Sequence, residues 1–484
     1  MTPEEFRKYG YKIIDWIADY RTNVENYPVM STVQPGTVRE SLPVTPPETP
    51  ESFEIIIDDL NQIILPGVTH WNHPDFFAYF PSNATFSSVL GELFCSGLGG
   101  IGLNWQSMPA LTEVEETVCD WMRQMLGLSP AWEGVIQDTA STSTLVALLC
   151  AREQASDHSQ IKNGLQGETS PLVIYTSEQS HSSVKKAALL AGFGLNYVRA
   201  IATDGNYAVD VNLLKEAIEQ DIQNKLKPCA IVATTGTTST TAIDPISDLA
   251  SLTKKYNMWL HVDAAMAGTA MILPEFRGMW EGIEGADSIV VNAHKWLGVV
   301  FNCSLFYIRN SEHLIRVMST NPSYLQTSVD DEAKNYRDWG IPLGRGFRAL
   351  KLWCLIRDQG VRGLQERIRR DIKNTQWLKD QIEKTPEWEI LAPVILQTIC
   401  VRHVPSSIEN DQLDKHTLEW VARINNSGAA YLTPAQLNGK WMVRISIGAE
   451  STTLKHVKNL WNTMKSAVIN QVPGDDKDRR LVGE

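Results

Sequence analysis

The sequence lacks the cysteine patterns that build disulfide frameworks and zinc sites. Its seven cysteines are widely spaced along 484 residues and mostly lie among apolar neighbours, and no CxxC or HExxH motif occurs. His70 and His73 are close in sequence, but the Trp, Asn and Pro residues around them give no regular ligand geometry. We therefore expect reduced, buried thiols and no bound metal.

Long apolar runs and an excess of basic residues are also missing. No run approaches the ~20 apolar residues of a membrane span, and no basic segment followed by an apolar one opens the chain. The net charge is −12, with 44 Lys and Arg against 56 Asp and Glu, which is the wrong sign for binding nucleic acid phosphates. The expected class is a cytoplasmic protein that binds neither a membrane nor nucleic acid.

The pattern along the chain divides it into three regions. Residues 1–80 are predicted to form an N-terminal helical arm, with helices over 3–26 and 51–65 joined by a proline-rich extended stretch. Such an arm holds little core of its own, so we expect it to pack on a partner subunit. Residues 81–365 form a predicted large domain, and residues 366–484 a small C-terminal α+β domain.

Strands and helices alternate within the large domain. The strands are continuous apolar runs, which indicates an α/β fold with a mostly parallel sheet covered on both faces. Ligands bind at the carboxyl edge of such a sheet. Strands are predicted over residues 172–175, 196–201, 230–234, 259–263, 288–292 and 304–308, and helices over 184–191, 211–225 and 246–256.

Two charged residues fall at the ends of consecutive predicted strands. Asp263 ends one strand and Lys295 follows the next, so both are expected at the same sheet edge. Desolvation lowers the pKa of a lysine and makes its amine nucleophilic, and a buried carboxylate must be paired. The chemistry of pyridoxal phosphate needs this pair, a lysine for a Schiff base and a carboxylate for the pyridinium nitrogen. Each residue alone also fits a simpler role, as a solvated lysine and a helix-capping aspartate.

Two hydroxyl-rich turns and one histidine lie in the same region of alternating strands and helices. Residues 139–144 open a predicted helix, and their hydroxyls and free N–H groups would hold a phosphate. Residues 234–238 form a second such turn after a strand. His181 also follows a strand, where an imidazole can stack on a flat cofactor. Helix capping is the competing interpretation for the residues 139–144 turn and for His181.

The glycines of residues 97–102 match the dinucleotide fingerprint GxGxxG, but their context does not fit it. They follow a helical pattern rather than a strand, and Asn104, Trp105 and Pro109 come next instead of a helix. We interpret this segment as a glycine-rich turn and not as a nicotinamide or flavin site.

Ordered motifs recur along the whole chain at separations that one known family shares. The central motifs are Asn-Ala-His-Lys-Trp at 292–296 and Leu-His-Val-Asp-Ala-Ala-Met-Ala-Gly at 260–268. The chain thereby resembles the pyridoxal-phosphate-dependent group II amino acid decarboxylases, and more specifically the aromatic L-amino acid decarboxylases. Further matching stretches lie at 70–81, 107–113, 134–137, 146–149, 181–183, 274–276 and 339–345.

The resemblance implies the fold type I architecture of PLP-dependent transferases and a pyridoxal 5'-phosphate cofactor. In this family an N-terminal arm is exchanged across a homodimer, and the active site lies at the dimer interface. By resemblance, Lys295 forms the Schiff base and Asp263 pairs with the pyridine nitrogen. His181 would stack on one face of the ring, with Ala265 on the other face.

The resemblance also assigns the remaining site residues. Tyr324 matches the lid tyrosine that protonates the substrate carbon, His294 lies near the substrate, and Asp244 supports the site. The phosphate is expected at Thr139, Ala140, Ser141 and Asn292, with Thr238 near the ring; the substrate is expected at Trp71, Tyr79, Phe80, Pro81, Ser82, Leu103 and Gly344.

The substrate preference implied by the resemblance is for large aromatic rings. Gly344 matches a glycine that accompanies indolic substrates in this family, and Leu103 replaces a frequent phenylalanine. The expected reaction is decarboxylation of aromatic L-amino acids to arylalkylamines and CO2, with tryptophan to tryptamine favoured. Phenylalanine, tyrosine, 5-hydroxytryptophan and dihydroxyphenylalanine are further candidate substrates. Departures from the family pattern at Ser82, Met266 and Gly346 concern the size of the pocket more than the chemistry.

Two other functions compete with this one. An aromatic aldehyde synthase would use oxygen on the same carbanion, but that activity usually accompanies a change at Tyr324 or His181, and both are present. A catalytically silent structural homodimer is disfavoured because Lys295 and Asp263 are intact.

Overall fold

The computed structural model describes residues 1–330 and 332–469. By their internal contacts the residues fall into two units. One unit comprises Met1–Tyr79, Gln376–Leu391 and Cys400–Glu484, and the other comprises Phe80–Thr375 and Ala392–Ile399. The division into 1–80, 81–365 and 366–484 stays a prediction. Within the described ranges, no helix has both the length and the apolar character needed to cross a bilayer.

Within residues 1–330 and 332–469, eleven strands form two sheets. The strands are β1 (Glu133–Gln137), β2 (Leu172–Ser177), β3 (Val198–Ile201), β4 (Lys227–Thr234), β5 (Trp259–Asp263), β6 (Ser288–Asn292), β7 (Ser304–Ile308), β8 (Trp388–Ile390), β9 (Thr398–His403), β10 (Thr433–Leu437) and β11 (Lys440–Ser446). The large sheet has the order β1-β7-β6-β5-β4-β2-β3. Only β7 runs antiparallel to its neighbours in this sheet, as predicted for a mostly parallel α/β fold.

The helices alternate with the strands of the large sheet and also build the two ends of the chain. Their bounds are α1 (Pro3–Thr22), α2 (Thr37–Ser41), α3 (Phe53–Asp59), α4 (Phe86–Leu98), α5 (Pro109–Leu126), α6 (Ala140–Ala155), α7 (Gln160–Asn163), α8 (Ser183–Leu190), α9 (Val211–Gln223), α10 (Ile246–Tyr256), α11 (Ser311–Met318), α12 (Arg348–Glu383), α13 (Leu413–Ser427) and α14 (Leu454–Ile469). Helix α12 is interrupted at Gly360, whose φ is 62°.

The large sheet is buried on both faces, which explains its continuous apolar strands. On β5, Trp259 belongs to the core beneath α6, whereas Leu260 and Val262 belong to the core on the opposite face. The parallel strands β4, β5 and β6 end side by side, at Thr234, Asp263 and Asn292. This edge is where the sequence predicts the site.

Most predicted strands and helices occur at their expected places, and the exceptions have local causes. The strands over 259–263, 288–292 and 304–308 match β5, β6 and β7 to the residue. The sequence did not reveal β1, whose only aliphatic residues are Val135 and Ile136. The predicted strand 196–201 starts late, because Leu195–Tyr197 forms a 3-10 turn.

The unit that contains the N-terminus is built from helices and the smaller sheet. Helix α1 starts with a capping box, in which Thr2 and Glu5 exchange hydrogen bonds. The proline-rich stretch after it carries only the short helix α2. The small sheet has the order β10-β11-β9-β8. On it, His403 Nδ1 of β9 lies 2.8 Å from His416 Nε2 of α13.

Candidate active site

Three polar side chains lie at the carboxyl ends of the central strands. Thr234 of β4 pairs in register with Asp263 of β5. The Asp263 carboxylate is 6% exposed, and its Oδ1 accepts the backbone N–H of Ala265 at 3.0 Å. Thr234 Oγ1 and Asn292 Oδ1 are buried and have no hydrogen-bond partner in the protein. The sheet edge thus carries a carboxylate and polar atoms with unused bonding capacity.

Lys295 lies in a tight turn directly after β6. The turn Ala293–Leu297 has π-helical hydrogen bonding, and Lys295 leaves helical geometry with φ −98° and ψ −115°. Arg367 of α12 donates hydrogen bonds to the carbonyl oxygens of Trp296 and Leu297. The indole N–H of Trp296 donates to Asp371 at 3.0 Å. These bonds fix the turn on the C-terminal side of the lysine.

The segment that begins at Phe80 lies beside this turn. Lys295 Nζ lies 5.4 Å from the centre of the Phe80 ring. Ser82 Oγ donates to the carbonyl oxygen of His294 at 3.4 Å, and Pro81 between them is buried. The structure therefore brings three predicted substrate residues to the predicted catalytic lysine.

His294 is buried and neutral. Its Nδ1 lies 2.9 Å from both the backbone N and the carbonyl O of Cys303. Burial, reinforced by the positive charge of Lys295, lowers the pKa of His294 to about 4. At neutral pH this side chain can donate or accept a hydrogen bond but carries no charge.

His181 is accessible and is held by the start of helix α8. Its Nδ1 accepts the backbone N–H of Ser183 at 3.1 Å and lies 2.8 Å from Ser183 Oγ. Desolvation lowers the pKa of His181, Asp263 acts to raise it and Lys295 acts to lower it. All three predicted residues therefore interact electrostatically at one place.

The start of helix α6 lies against the same edge. Ala140, the first residue of α6, forms a small apolar cluster with Ala265 and Val290. Thr139 caps the helix without a side-chain hydrogen bond, and Ser141 is exposed. The free N–H groups and hydroxyls of this helix start can therefore receive an anion.

The loop after β4 carries Thr238 and brings Asp244 to the sheet edge. Thr238 is exposed. Asp244 is buried, and its carboxylate accepts the backbone N–H groups of Val209 at 2.8 Å and Thr234 at 2.7 Å. Burial raises the pKa of Asp244 to about 6, although both hydrogen bonds oppose the shift. Asp244 thereby holds the end of β4 beside Asp263.

These residues fit pyridoxal phosphate. The Asp263 carboxylate can meet a ring nitrogen, and Ala265 is small enough for a flat ring. The Asn292 amide, whose Oδ1 has no partner in the protein, can turn its NH2 group toward a phosphate. The start of α6 offers further donors, and Lys295 offers an amine. A ring nitrogen, a phosphate and a carbonyl group would each find a partner of suitable chemistry.

A second group of predicted residues lies around Gly344. Gly102 and Arg345 form an isolated antiparallel bridge, which places Gly344 beside Leu103. A Cβ added at Gly344 would lie 3.4 Å from Ile101 Cγ2 and 4.0 Å from Leu103 Cδ2. The two residues that the resemblance connects with substrate size are therefore neighbours.

The sequence did not reveal the ion pair that holds this bridge. Arg345 is buried and contacts both carboxylate oxygens of Glu115 in α5, at 2.6 and 3.0 Å. Arg345 also donates to the carbonyl oxygen of Ile136 in β1 at 2.7 Å. Because Glu115 occurs in a helix with acidic neighbours, its sequence context gives no sign that it is buried. The burial of Arg367 and Asp371 is equally hidden in the sequence, because both residues lie in the basic helix α12.

The other predicted residues lie elsewhere in the structure. Trp71 and Tyr79 belong to the N-terminal unit and stack with ring centres 5.6 Å apart. Tyr324 lies in a short 3-10 turn and is 77% exposed. The roles predicted for these three residues stay predictions.

Comparisons with known proteins agree with this chemistry. Residues 35–404 match the family model described as the pyridoxal-dependent decarboxylase conserved domain. Phenylacetaldehyde synthase of Arabidopsis thaliana is 40% identical, over 96% of this chain and 96% of that protein. Tyrosine decarboxylase of Papaver somniferum is 39% identical, over 96% of this chain and 94% of that protein.

A solved structure shows the same fold along nearly the whole chain. Catharanthus roseus tryptophan decarboxylase in complex with L-tryptophan superposes with a TM-score of 0.91 at 34% identity, covering 97% of this chain and 99% of that one. The chain therefore belongs to the pyridoxal-dependent decarboxylase family and, within it, to the aromatic amino acid decarboxylases.

Proposed function

We propose that the protein converts aromatic L-amino acids to arylalkylamines and CO2, with tryptophan as the favoured substrate and tryptamine as its product. Asp263 ends β5, and Lys295 lies in the turn directly after the adjacent parallel strand β6; this placement is the observation that carries this proposal. When bound, pyridoxal phosphate supplies a cationic ring that accepts the electron pair released as CO2 leaves. The protein supplies the groups that hold the cofactor, orient the substrate and protonate the substrate carbon.

Asp263 and Lys295 have opposite charges and different tasks. The buried carboxylate favours a protonated ring nitrogen and so preserves the electron-accepting power of the ring. Lys295 would provide the amine that holds the cofactor. Its fixed backbone turn sets the position of Nζ. His181, held at Nδ1 by Ser183, presents its ring for stacking.

Tyr324 serves as the proton donor, and the turn Ser323–Leu325 that carries it serves as a lid. The segment is tied to the glycine-rich turn region, since Asn104 Nδ2 donates to the carbonyl oxygen of Leu325 at 3.3 Å and Asn335 Oδ1 accepts the N–H of Trp105 at 2.9 Å. We propose that Tyr324 moves from its exposed position to protonate the substrate carbon and that the segment then excludes water.

The preference for tryptophan rests on the space beside Gly344. Because Gly344 has no side chain, the space beside Ile101 and Leu103 that a larger residue would fill stays open to the substrate ring. A difference of one methylene-sized group shifts selectivity by only ~1–3 kcal/mol, so phenylalanine, tyrosine, 5-hydroxytryptophan and dihydroxyphenylalanine are candidate secondary substrates.

Formation of an aldehyde is the second candidate function, because a 40% identical relative is named phenylacetaldehyde synthase. We favour the amine because Tyr324 and His181 are both retained. Purified holoenzyme given each aromatic amino acid should release amine and CO2 in equal amounts without peroxide. Aldehyde with stoichiometric peroxide would establish the synthase instead, and no turnover of any aromatic amino acid would reject both functions.

We further propose a homodimer whose active sites lie at the subunit interface. Helix α4 supports it, because its apolar residues recur at helical spacing on a face that the single chain leaves open. These side chains are between 48% and 64% exposed: Phe86, Leu90, Leu93, Phe94 and Leu98. A soluble monomer rarely exposes an apolar stripe of this length. The cytoplasmic location expected from the cysteine pattern stays a prediction.

A further inference from the structure

One face of the large sheet carries polar side chains that lead to Asp263. Residues alternate between the two faces along a strand, so Trp259, His261 and Asp263 of β5 share the face beneath α6. Most of this face is apolar, and Val232 and Phe306 belong to its core. A fully buried histidine two positions before the key carboxylate is therefore conspicuous.

The buried histidine has one satisfied nitrogen. The indole N–H of Trp259 donates to Ser288 Oγ at 2.9 Å, and the same oxygen lies 2.9 Å from His261 Nδ1. Ser288 pairs with His261 in register, so strand pairing itself sets these distances. Packing and the hydrogen bond to Ser288 thereby fix the orientation of the imidazole, and the bond from Trp259 holds the Ser288 hydroxyl in place.

Besides Asn292 Oδ1, two buried polar atoms on this face have no partner in the protein. They are His261 Nε2 and Thr234 Oγ1. Thr234 of β4 lies directly opposite Asp263 of β5. His261, two residues before Asp263 on β5, is the diagonal neighbour of Thr234. Buried polar groups in folded proteins nearly always have a partner, and ordered water is a common one. Here the two atoms flank a carboxylate that can accept a further hydrogen bond.

We propose that one buried water molecule joins His261 Nε2, Thr234 Oγ1 and the Asp263 carboxylate, and that His261 is a positioning residue for Asp263. Three polar partners are sufficient to retain a buried water. The water donates to the carboxylate, which favours its ionised form and fixes its plane relative to the cofactor ring. This inference rests on the proposed role of Asp263 toward the ring nitrogen.

The electrostatics of His261 agree with such a role. Burial lowers the pKa of His261 to about 4, although the negative charge of Asp263 acts in the opposite direction. A neutral imidazole next to Asp263 leaves the carboxylate's charge available to the cofactor. A charged imidazole would neutralise it.

A double-mutant cycle tests the proposal. The variants are His261→Phe, Thr234→Val and the two combined, with His261→Gln as a conservative replacement that restores a polar nitrogen. Two properties are measured: the dissociation constant of the apoprotein for pyridoxal phosphate, and the pH midpoint of the absorbance change of the bound cofactor. Each single change should weaken binding about tenfold, as loss of one buried hydrogen bond does, and shift the midpoint by about 0.5 pH unit or more.

The combined variant decides between a shared water and two unrelated packing effects. If both residues act through one water, the combined variant should be no worse than the poorer single variant, and His261→Gln should stay near wild type. Additive losses, or unchanged midpoints, would overturn the proposal. Thr253→Val serves as the control, because it alters a buried threonine of the same unit whose hydroxyl bonds to the carbonyl oxygen of Ala250 and to none of these residues.

A second measurement needs no variant. A high-resolution crystal structure of the wild-type holoenzyme should show a water within about 3.2 Å of all three atoms. A direct contact or an apolar void in that place would contradict the proposal. If the wild-type protein does not attach the cofactor to Lys295, the proposed function fails first and this inference fails with it. If attachment occurs but the cycle is additive, only the inference fails.

Discussion

At the residue scale, we propose that the space beside Gly344 decides which aromatic ring fits. A Cβ at this position would contact Ile101 at an ordinary 3.4 Å, so Gly344→Ser should fold normally while narrowing the pocket. We expect the ratio of kcat/KM for tryptophan over tyrosine to fall about tenfold in this variant, within the range of a methylene-sized change.

Gly346→Ser is the matched control for that substitution. A Cβ at Gly346 would meet no atom within 4 Å, so the same chemical change two residues away should leave the substrate ratio unaltered. An equal shift in both variants would show that the segment as a whole, rather than the space at Gly344, sets the preference.

The sequence predicted Lys295 and Asp263 because each follows a continuous apolar strand. The direction of a parallel sheet then brings their side chains to one edge. The sequence could not predict that His261 and Glu115 are buried and bonded, because nothing in their local patterns distinguishes them from solvated or core residues. Their partners, Ser288 and Arg345, are distant in sequence and were brought close only by the fold.

At the scale of elements, the Arg345–Glu115 pair connects α5 and β1 to the segment that carries Gly344. Glu115→Ala would leave the Arg345 guanidinium buried without its carboxylate. We expect the free energy of unfolding to fall by about 3–5 kcal/mol, as for other broken buried pairs. Chemical denaturation of the apoprotein measures this loss.

The Arg369–Glu275 pair provides the control at the same scale. Its side chains are 45% and 46% exposed, so Glu275→Ala should cost less than about 1 kcal/mol. Similar losses for Glu115→Ala and Glu275→Ala would show that burial does not determine the contribution of the ion pair.

The His403–His416 pair gives the small sheet a sensitivity to acid. Burial, helped by His416, lowers the pKa of His403 to about 4, below the value near 6.5 of an unfolded histidine. Between these values the unfolded chain binds more protons, so stability is complete above pH 6.5 and is lost as the pH falls toward 4.

Comparison with His403→Phe isolates this contribution from that of other titrating groups. Between pH 7 and pH 5, the wild-type apoprotein should lose about 1–2 kcal/mol more unfolding free energy than the variant. Parallel pH profiles would mean that His403 does not change its protonation on unfolding.

At the scale of the whole molecule, the exposed stripe of α4 predicts assembly. Phe94 is 64% exposed in the single chain, and Phe94→Glu would place a charge within the proposed subunit interface. We expect this variant to sediment as a monomer and the wild-type protein as a dimer, because burial of an unpaired carboxylate is unfavourable.

Leu213→Glu on α9 is the control, since it adds the same charge at a leucine that is 42% exposed outside the stripe. This variant should remain dimeric. A wild-type monomer, or a dimer in both variants, would contradict the role assigned to α4.

The overall fold was predictable because helical and strand periods are local properties of the sequence. The α/β class and the mostly parallel sheet follow from the alternation of these periods. The order of the strands and the place of β1 at the edge of the large sheet depend on long-range pairing, which the periods do not encode. The two-unit division, in which N-terminal residues join the C-terminal ones, also depends on such contacts.

Chemical mapping of the cofactor attachment tests the central claim most directly. Wild-type holoenzyme is reduced with borohydride, digested and analysed by mass spectrometry, with Lys295→Ala treated in parallel. The account predicts one phosphopyridoxyl group per chain on the peptide that contains Lys295 and none in the variant. Attachment at another lysine, or equal labelling of Lys295→Ala, would contradict it.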